Sequence, residues 1–121
     1  MICSPENLSE ILSSVSEGVY DVFGDKLENV ILYGSYARGE ADEYSDIDIM
    51  VLVNGIPRNE LWKWRRRMNL VLSRIEEEWE YEILLSAILE DVPTFEKYAD
   101  AMPFFRTVIE EGVSFVRERI H

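Results

Sequence analysis

The chain has little with which to build cysteine or histidine chemistry. Its one cysteine, Cys3, has no partner for a disulfide or a thiolate metal site. Its one histidine, His121, is the terminal residue, so no imidazole base stands near any motif. No apolar run approaches the roughly 18 residues that a membrane span needs. The start, MICSPENLSE, lacks the basic and apolar regions of a signal peptide, which leads us to expect a soluble, cytoplasmic protein. Positive charge is also scarce. Twelve Lys and Arg face 24 Asp and Glu, a net charge of −12, and that field disfavours direct binding of nucleic acid or an anionic membrane.

What is present is enough for one core. The 121 residues are 47% hydrophobic and correspond to a single domain, 1–121. Ser4-Pro5 opens a helix whose apolar positions recur from Leu8 to Phe23, and Gly24 stops it. Val30-Ile31-Leu32-Tyr33 reads as a short buried strand. From Asp46 to Val53 the pattern alternates, with Asp46, Asp48, Met50 and Leu52 on one face and Ile47, Ile49, Val51 and Val53 on the other. A helix is predicted over 57–79 with Leu61, Trp64, Met68, Val71, Ile75 and Trp79 inward, then a strand over 81–89 ended by Glu90-Asp91-Val92-Pro93. A short helix or loop follows over 94–100, and a last helix over 104–120. This order predicts an α/β (α+β) fold, a small mixed sheet flanked by helices.

The chemistry concentrates in residues 34–53, GSYARGEADEYSDIDIMVLV. Gly34 permits close backbone approach to a ligand, and Ser35 begins a short helix whose N–H groups and hydroxyl can meet an anion. Asp46 and Asp48, two apart on a strand, project from one face roughly 7 Å apart at the backbone. They can share one divalent ion or bridge two, and carboxylate oxygens suit Mg²⁺ better than zinc. An Asp48 inside an apolar strand is costly unless something pairs with it. Gly34 and Gly39 have the spacing of a P-loop, but Glu40-Ala41 stands where Lys-Ser/Thr is required; no GxGxxG is present either. The run Arg58 to Arg67 is locally basic; the solvated face of a helix is the commoner origin of such a run, with contact to a triphosphate or an acidic partner as the alternative. Trp62, off the inward stripe, fits a partner surface or partial burial equally.

Gly34-Ser35, ten residues, then Asp46-Ile47-Asp48, with Ala37-Arg38-Gly39 and Ser45 between, resembles the signature of the DNA polymerase β-like nucleotidyltransferases. Within that superfamily the chain looks like the minimal nucleotidyltransferases that pair with HEPN-domain toxins. Pro103-Phe104-Phe105 and Glu111-Gly112-Val113 are similar to a common ending in such proteins.

The resemblance implies a nucleotidyltransferase fold in which Gly34 and Ser35 hold nucleotide phosphates, Arg38 contacts phosphate, and Asp46 and Asp48 bind one or two Mg²⁺. Glu82 would be the third catalytic carboxylate, with Glu80 as the alternative. For Arg38, an ion pair with a nearby carboxylate is the competing role. The implied activity is AMP transfer from ATP to a protein acceptor, a HEPN RNase toxin that the chain would neutralise as its antitoxin. Two alternatives stand beside it: a non-catalytic module that masks its partner by contact, and an aminoglycoside-type adenylyltransferase acting on a small molecule. Base preference is open, and a homo-oligomer is compatible with everything above.

Overall fold

The computed structural model describes residues 3–115. Helix α1, Pro5–Phe23, starts as its sequence dictates: Ser4 Oγ accepts the Asn7 N–H at 3.1 Å and Pro5 occupies the first turn. Gly24 ends it at φ +56° and opens a 3-10 turn to Lys26. Strand β1, Leu27–Tyr33, follows; it begins three residues before the apolar run does. A four-residue helix α2, Ser35–Arg38, leads through a loop to β2, Ile47–Val53. After a 3-10 turn at Arg58–Glu60 come α3, Leu61–Glu78, and β3, Leu85–Asp91. Helices α4, Val92–Tyr98, and α5, Pro103–Glu111, precede a two-residue strand β4, Val113–Ser114.

The sheet is mixed, in the order β3-β2-β1-β4. β1 is antiparallel to both β2 and β4, while β2 and β3 are parallel and joined through α3. The alternation read from Asp46 onward is borne out by the packing. Ile47, Ile49, Val51 and Val53 enter a large core with α1 and α3, including Ile11, Val15, Val19, Met68, Leu72 and Ile75. Met50 and Leu52 enter a smaller core with Ile31, Tyr33, Phe95, Phe105 and Val108, beneath α4 and α5. The chain therefore forms the expected small mixed sheet with helices on both faces.

Three elements differ from the sequence reading. The third strand begins at Leu85, not Tyr81, because Glu80 and Tyr81 take left-handed backbone conformations (φ 55° and 59°) that no strand can hold. It also runs on through Glu90-Asp91, and Asp91 then caps α4 by accepting the Thr94 N–H at 2.8 Å. The last helix ends at Glu111, where the Gly112 N–H closes on the Val108 carbonyl at 2.8 Å and the chain turns back to pair with β1. The part of that predicted helix beyond Phe115 lies outside the described residues. On α3, Leu72 is buried while Val71, Trp64 and Trp79 are only partly so. No described helix is long and apolar enough to cross a membrane.

Candidate active site

β1 delivers the chain to Gly34, whose backbone (φ +77°, ψ −157°) is one that glycine alone adopts readily. The reason for glycine is also steric. A Cβ built there would collide with the carboxylate of Asp48, so the β1–α2 turn and that carboxylate are in direct apposition. Helix α2 starts at once, leaving its first N–H groups without intrahelical partners. It stops after one turn at Gly39 (φ +73°), where the Glu40 N–H reaches back to the Ser35 carbonyl at 2.9 Å. Tyr36 pins this helix to the N-terminal segment, its hydroxyl accepting the Cys3 N–H at 3.2 Å.

A self-contained turn aims the next carboxylate. Asp42 Oδ1 accepts the Tyr44 N–H at 2.9 Å and the Ser45 hydroxyl at 3.2 Å, while Ser45 Oγ accepts the Asp42 N–H at 2.9 Å. The chain then enters β2, with the Ile47 N–H on the Leu84 carbonyl at 2.9 Å. Asp46 is exposed just before the strand; Asp48 is half-buried within it.

The electrostatics single out Asp48. Burial raises its carboxyl above the ordinary carboxylate value, the charge of Asp46 raises it further, and Arg38 partly offsets both. A carboxylate so placed favours a cation beside it. Tyr33, its cross-strand partner, is buried and edge-on to Phe104 at 5.5 Å. Its hydroxyl is pushed up to about 12 by burial and then by the Asp48 charge, so it stays protonated at neutral pH.

Arg38 sits at the end of α2 and is already paired. It reaches Glu40 and Glu111, each at 3.0 Å, and so ties α2 to the last residue of α5. Arg58, from the basic run, is likewise engaged away from the motif: it donates to Glu90 at 2.7 Å, to Thr94 at 2.7 Å and to Asp91. Trp62 is 55% exposed.

Glu82 lies in the turn between α3 and β3, exposed, its N–H on the Trp79 carbonyl at 3.1 Å. With Glu43, Tyr44, Ser45, Asp46, Tyr81 and Leu84 it lines a shallow cleft of about 250 Å³, and Asp48 is not part of that lining. Glu80 is exposed in the same turn. Among the described residues, no three Asp, Glu, His or Cys side chains gather closely enough to hold a metal. The geometry thus sets Gly34 against Asp48, with Ser35 next in the chain, Asp46 and Arg38 near enough to act on Asp48 by charge, and Glu82 in the cleft that Asp46 also lines.

Two residues near the site escaped the sequence reading, Tyr33 and Ser86. The position of Tyr33 directly before Gly34 was a usable signal, whereas Ser86 becomes apparent only through strand register. A larger groove of about 410 Å³ along α1, lined by Pro5, Leu8, Ser9, Leu12, Ser13, Ser16 and Phe115, carries no ionisable side chain.

Known proteins are similar to this chain. A candidate protein adenylyltransferase of Methanocaldococcus jannaschii, MJ0141, is 38% identical over 80 residues, covering 66% of this chain and 76% of the relative. A second from the same organism, MJ1305, is 38% identical over 82 residues; the match takes in 68% of this chain but only 54% of that longer protein. In three dimensions the chain is similar to a crystal structure of a toxin-antitoxin with AMP-PNP, with TM-score 0.50 and 20% identity over 85% of this chain and 70% of the other. That likeness speaks to the fold alone. The family model for the nucleotidyltransferase domain matches residues 8–112, nearly the whole chain, and the protein therefore belongs to the nucleotidyltransferase domain family, a family of transferases.

Proposed function

We propose that residues 1–121 form one minimal nucleotidyltransferase domain that moves AMP from ATP to a protein acceptor, with Mg²⁺ as cofactor. The observation that carries this reading is the apposition of a side-chain-free Gly34 to the Asp48 carboxylate, with Asp46 two residues before it. The donor set fits the ion: Mg²⁺ is commonly held by one or two carboxylates together with substrate phosphates. The backbone of Gly34 keeps open the space over Asp48 that a Cβ would fill.

In this reading Gly34 and Ser35 orient the triphosphate through backbone N–H groups and the Ser35 hydroxyl, and Asp46 and Asp48 hold the ion. When bound, Mg²⁺ neutralises phosphate charge and lowers the pKa of an attacking hydroxyl. The acceptor oxygen forms a bond to the α-phosphorus, the bond from that phosphorus to the bridging α–β oxygen breaks, and pyrophosphate leaves. The hydroxyl proton passes to solvent. The protein contributes alignment and fixed charge. Arg38 would reach phosphate by exchanging one of its two carboxylate partners, and Glu82, in the cleft it shares with Asp46, would lie outside the set that holds the ion.

A protein acceptor is supported by the names of the M. jannaschii relatives, and the net charge of −12 disfavours a polyanionic one. The motif's likeness to transferases that pair with HEPN-domain toxins suggests such a toxin as the acceptor, in the cytoplasm where ATP is available. Incubation with ATP, Mg²⁺ and a HEPN protein encoded alongside should add AMP to that protein, read by intact mass. Asp46→Asn and Asp48→Asn should lower the rate by about 10²-fold or more, the scale of losing a principal electrostatic group. An unmodified partner under these conditions would remove the acceptor assignment.

A second reading is favoured by one observation, that no third acidic side chain joins Asp46 and Asp48 among the described residues. The chain would then mask its partner by contact alone. Full neutralisation of the toxin by the Asp46→Asn and Asp48→Asn proteins would select it.

A further inference from the structure

β3 is an edge strand parallel to β2, and the register pairs Asp48 with Ser86. Paired residues share a face of the sheet, and the next pair but one fixes the phase. Ile88 stands beside Met50, and both belong to the smaller core. Ser86 is therefore the β3 residue next to Asp48, across an interstrand spacing of about 4.8 Å, and it is exposed. A carboxylate at this position would complete a three-acid site on the face that carries Asp46 and Asp48. The chain has a neutral hydroxyl there, a weak ligand that adds no charge for a hard divalent ion. Glu82 does not substitute, because among the described residues no third acidic side chain gathers with Asp46 and Asp48 closely enough to hold an ion.

We infer that Ser86 makes divalent-metal binding by this protein conditional on nucleotide. Asp46 and Asp48 alone hold the ion weakly; the phosphate oxygens of a nucleoside triphosphate supply the missing donors, and ion and nucleotide enter together. This rests on the reading of Asp46 and Asp48 as metal-binding carboxylates. It makes Ser86 the residue that sets the order of loading.

Mn²⁺ is a suitable probe, since free ion is read directly by its paramagnetic resonance signal. The full chain should take up Mn²⁺ only when a non-hydrolysable ATP analogue is present. Ser86→Asp should take up Mn²⁺ without nucleotide, with affinity raised about tenfold or more by the added ligand charge. Ser86→Ala should match the parent protein in both conditions. Circular dichroism verifies folding, and Ser86→Glu provides a second carboxylate variant if Ser86→Asp does not fold.

Tight Mn²⁺ uptake by the parent protein without nucleotide would overturn the inference and leave the nucleotidyl-transfer reading intact. So would a tenfold loss of Mn²⁺–nucleotide affinity in Ser86→Ala, or no gain in either folded carboxylate variant. Failure of every variant to take up Mn²⁺ even with nucleotide would instead remove the metal reading, and this inference with it.

Discussion

At Gly34 two constraints coincide: a backbone angle of φ +77° and a carboxylate where a Cβ would stand. Gly34→Ala should cost about 1–3 kcal/mol, the scale of a non-glycine residue held in such a conformation, and should abolish nucleotide-dependent activity even where the protein still folds. Thermal melts alongside a nucleotide-binding assay measure both effects. Asp48 behaves in the opposite sense. Its folded-state carboxyl is raised by burial and by Asp46, so the stability linked to it is fully present below the unfolded value of about 4 and is lost as pH rises through the folded one. In metal-free protein at pH 7 the ionised carboxylate therefore opposes folding. Asp48→Asn should raise the melting temperature there by less than about 4 °C, roughly what 1 kcal/mol gives in a domain this size. The difference should vanish below about pH 4, where Asp48 is protonated in both states. The Asp48→Asn protein would thus be more stable and inactive, which separates a functional carboxylate from a structural one. Much of this was legible in the chain, since Gly34, Asp46 and Asp48 stand at fixed spacing. Ser86 was not, because its relation to Asp48 is a matter of which strands pair and in what register.

Elements that carry their own signals matched the sequence best. α1 has its Ser4 cap, its Pro5 and its Gly24 stop, and β2 is apolar at every position but Asp48, its residues shared alternately between the two cores. Elements made by tertiary pairing did not. Val113 and Ser114 are a strand only because Leu32 and Ile31 stand opposite them, and Leu27 to Asn29 join β1 for the same reason. The onset of β3 was misread because Tyr81 and Ile83 look strand-like, while nothing local announces the left-handed turn at Glu80 and Tyr81. Asp91 shows how one side chain can define two elements, ending β3 and capping α4. Burial raises its carboxyl, but hydrogen bonds from Thr94 and Arg58 together outweigh that and hold it below the ordinary value. Asp91→Ala should cost about 1–2 kcal/mol, the usual worth of an N-cap, in chemical denaturation at neutral pH. Because the carboxyl is depressed in the folded state, its contribution is present above the unfolded value and lost as pH falls through the folded one. The penalty should therefore shrink in acid.

The whole molecule is set by its charge and by its two-sided sheet. A net charge of −12 on 121 residues repels itself, so added salt should raise the melting temperature from low ionic strength up to about 0.15 M, where the Debye length falls to about 8 Å. An unchanged or falling midpoint over that range would show that the acidic groups are already neutralised in pairs. The same field bears on the partner, because an acidic surface meets a basic protein more readily than RNA. The two helical layers differ in kind. α1 and α3 bury the larger core, while α4 and α5 cover the face whose far end carries Asp48 and Asp46. The site is the uncovered end of that second face, where β2 meets the β1–α2 turn. The central claim is that this end transfers a nucleotidyl group, and ATP labelled at one phosphate or another tests it most directly. With Mg²⁺ and the acceptor protein, label from the α-phosphate should appear on the acceptor and label from the γ-phosphate should not, with Asp46→Asn and Asp48→Asn silent for both. Transfer of γ-label, or α-label transfer undiminished in those two variants, would contradict the account.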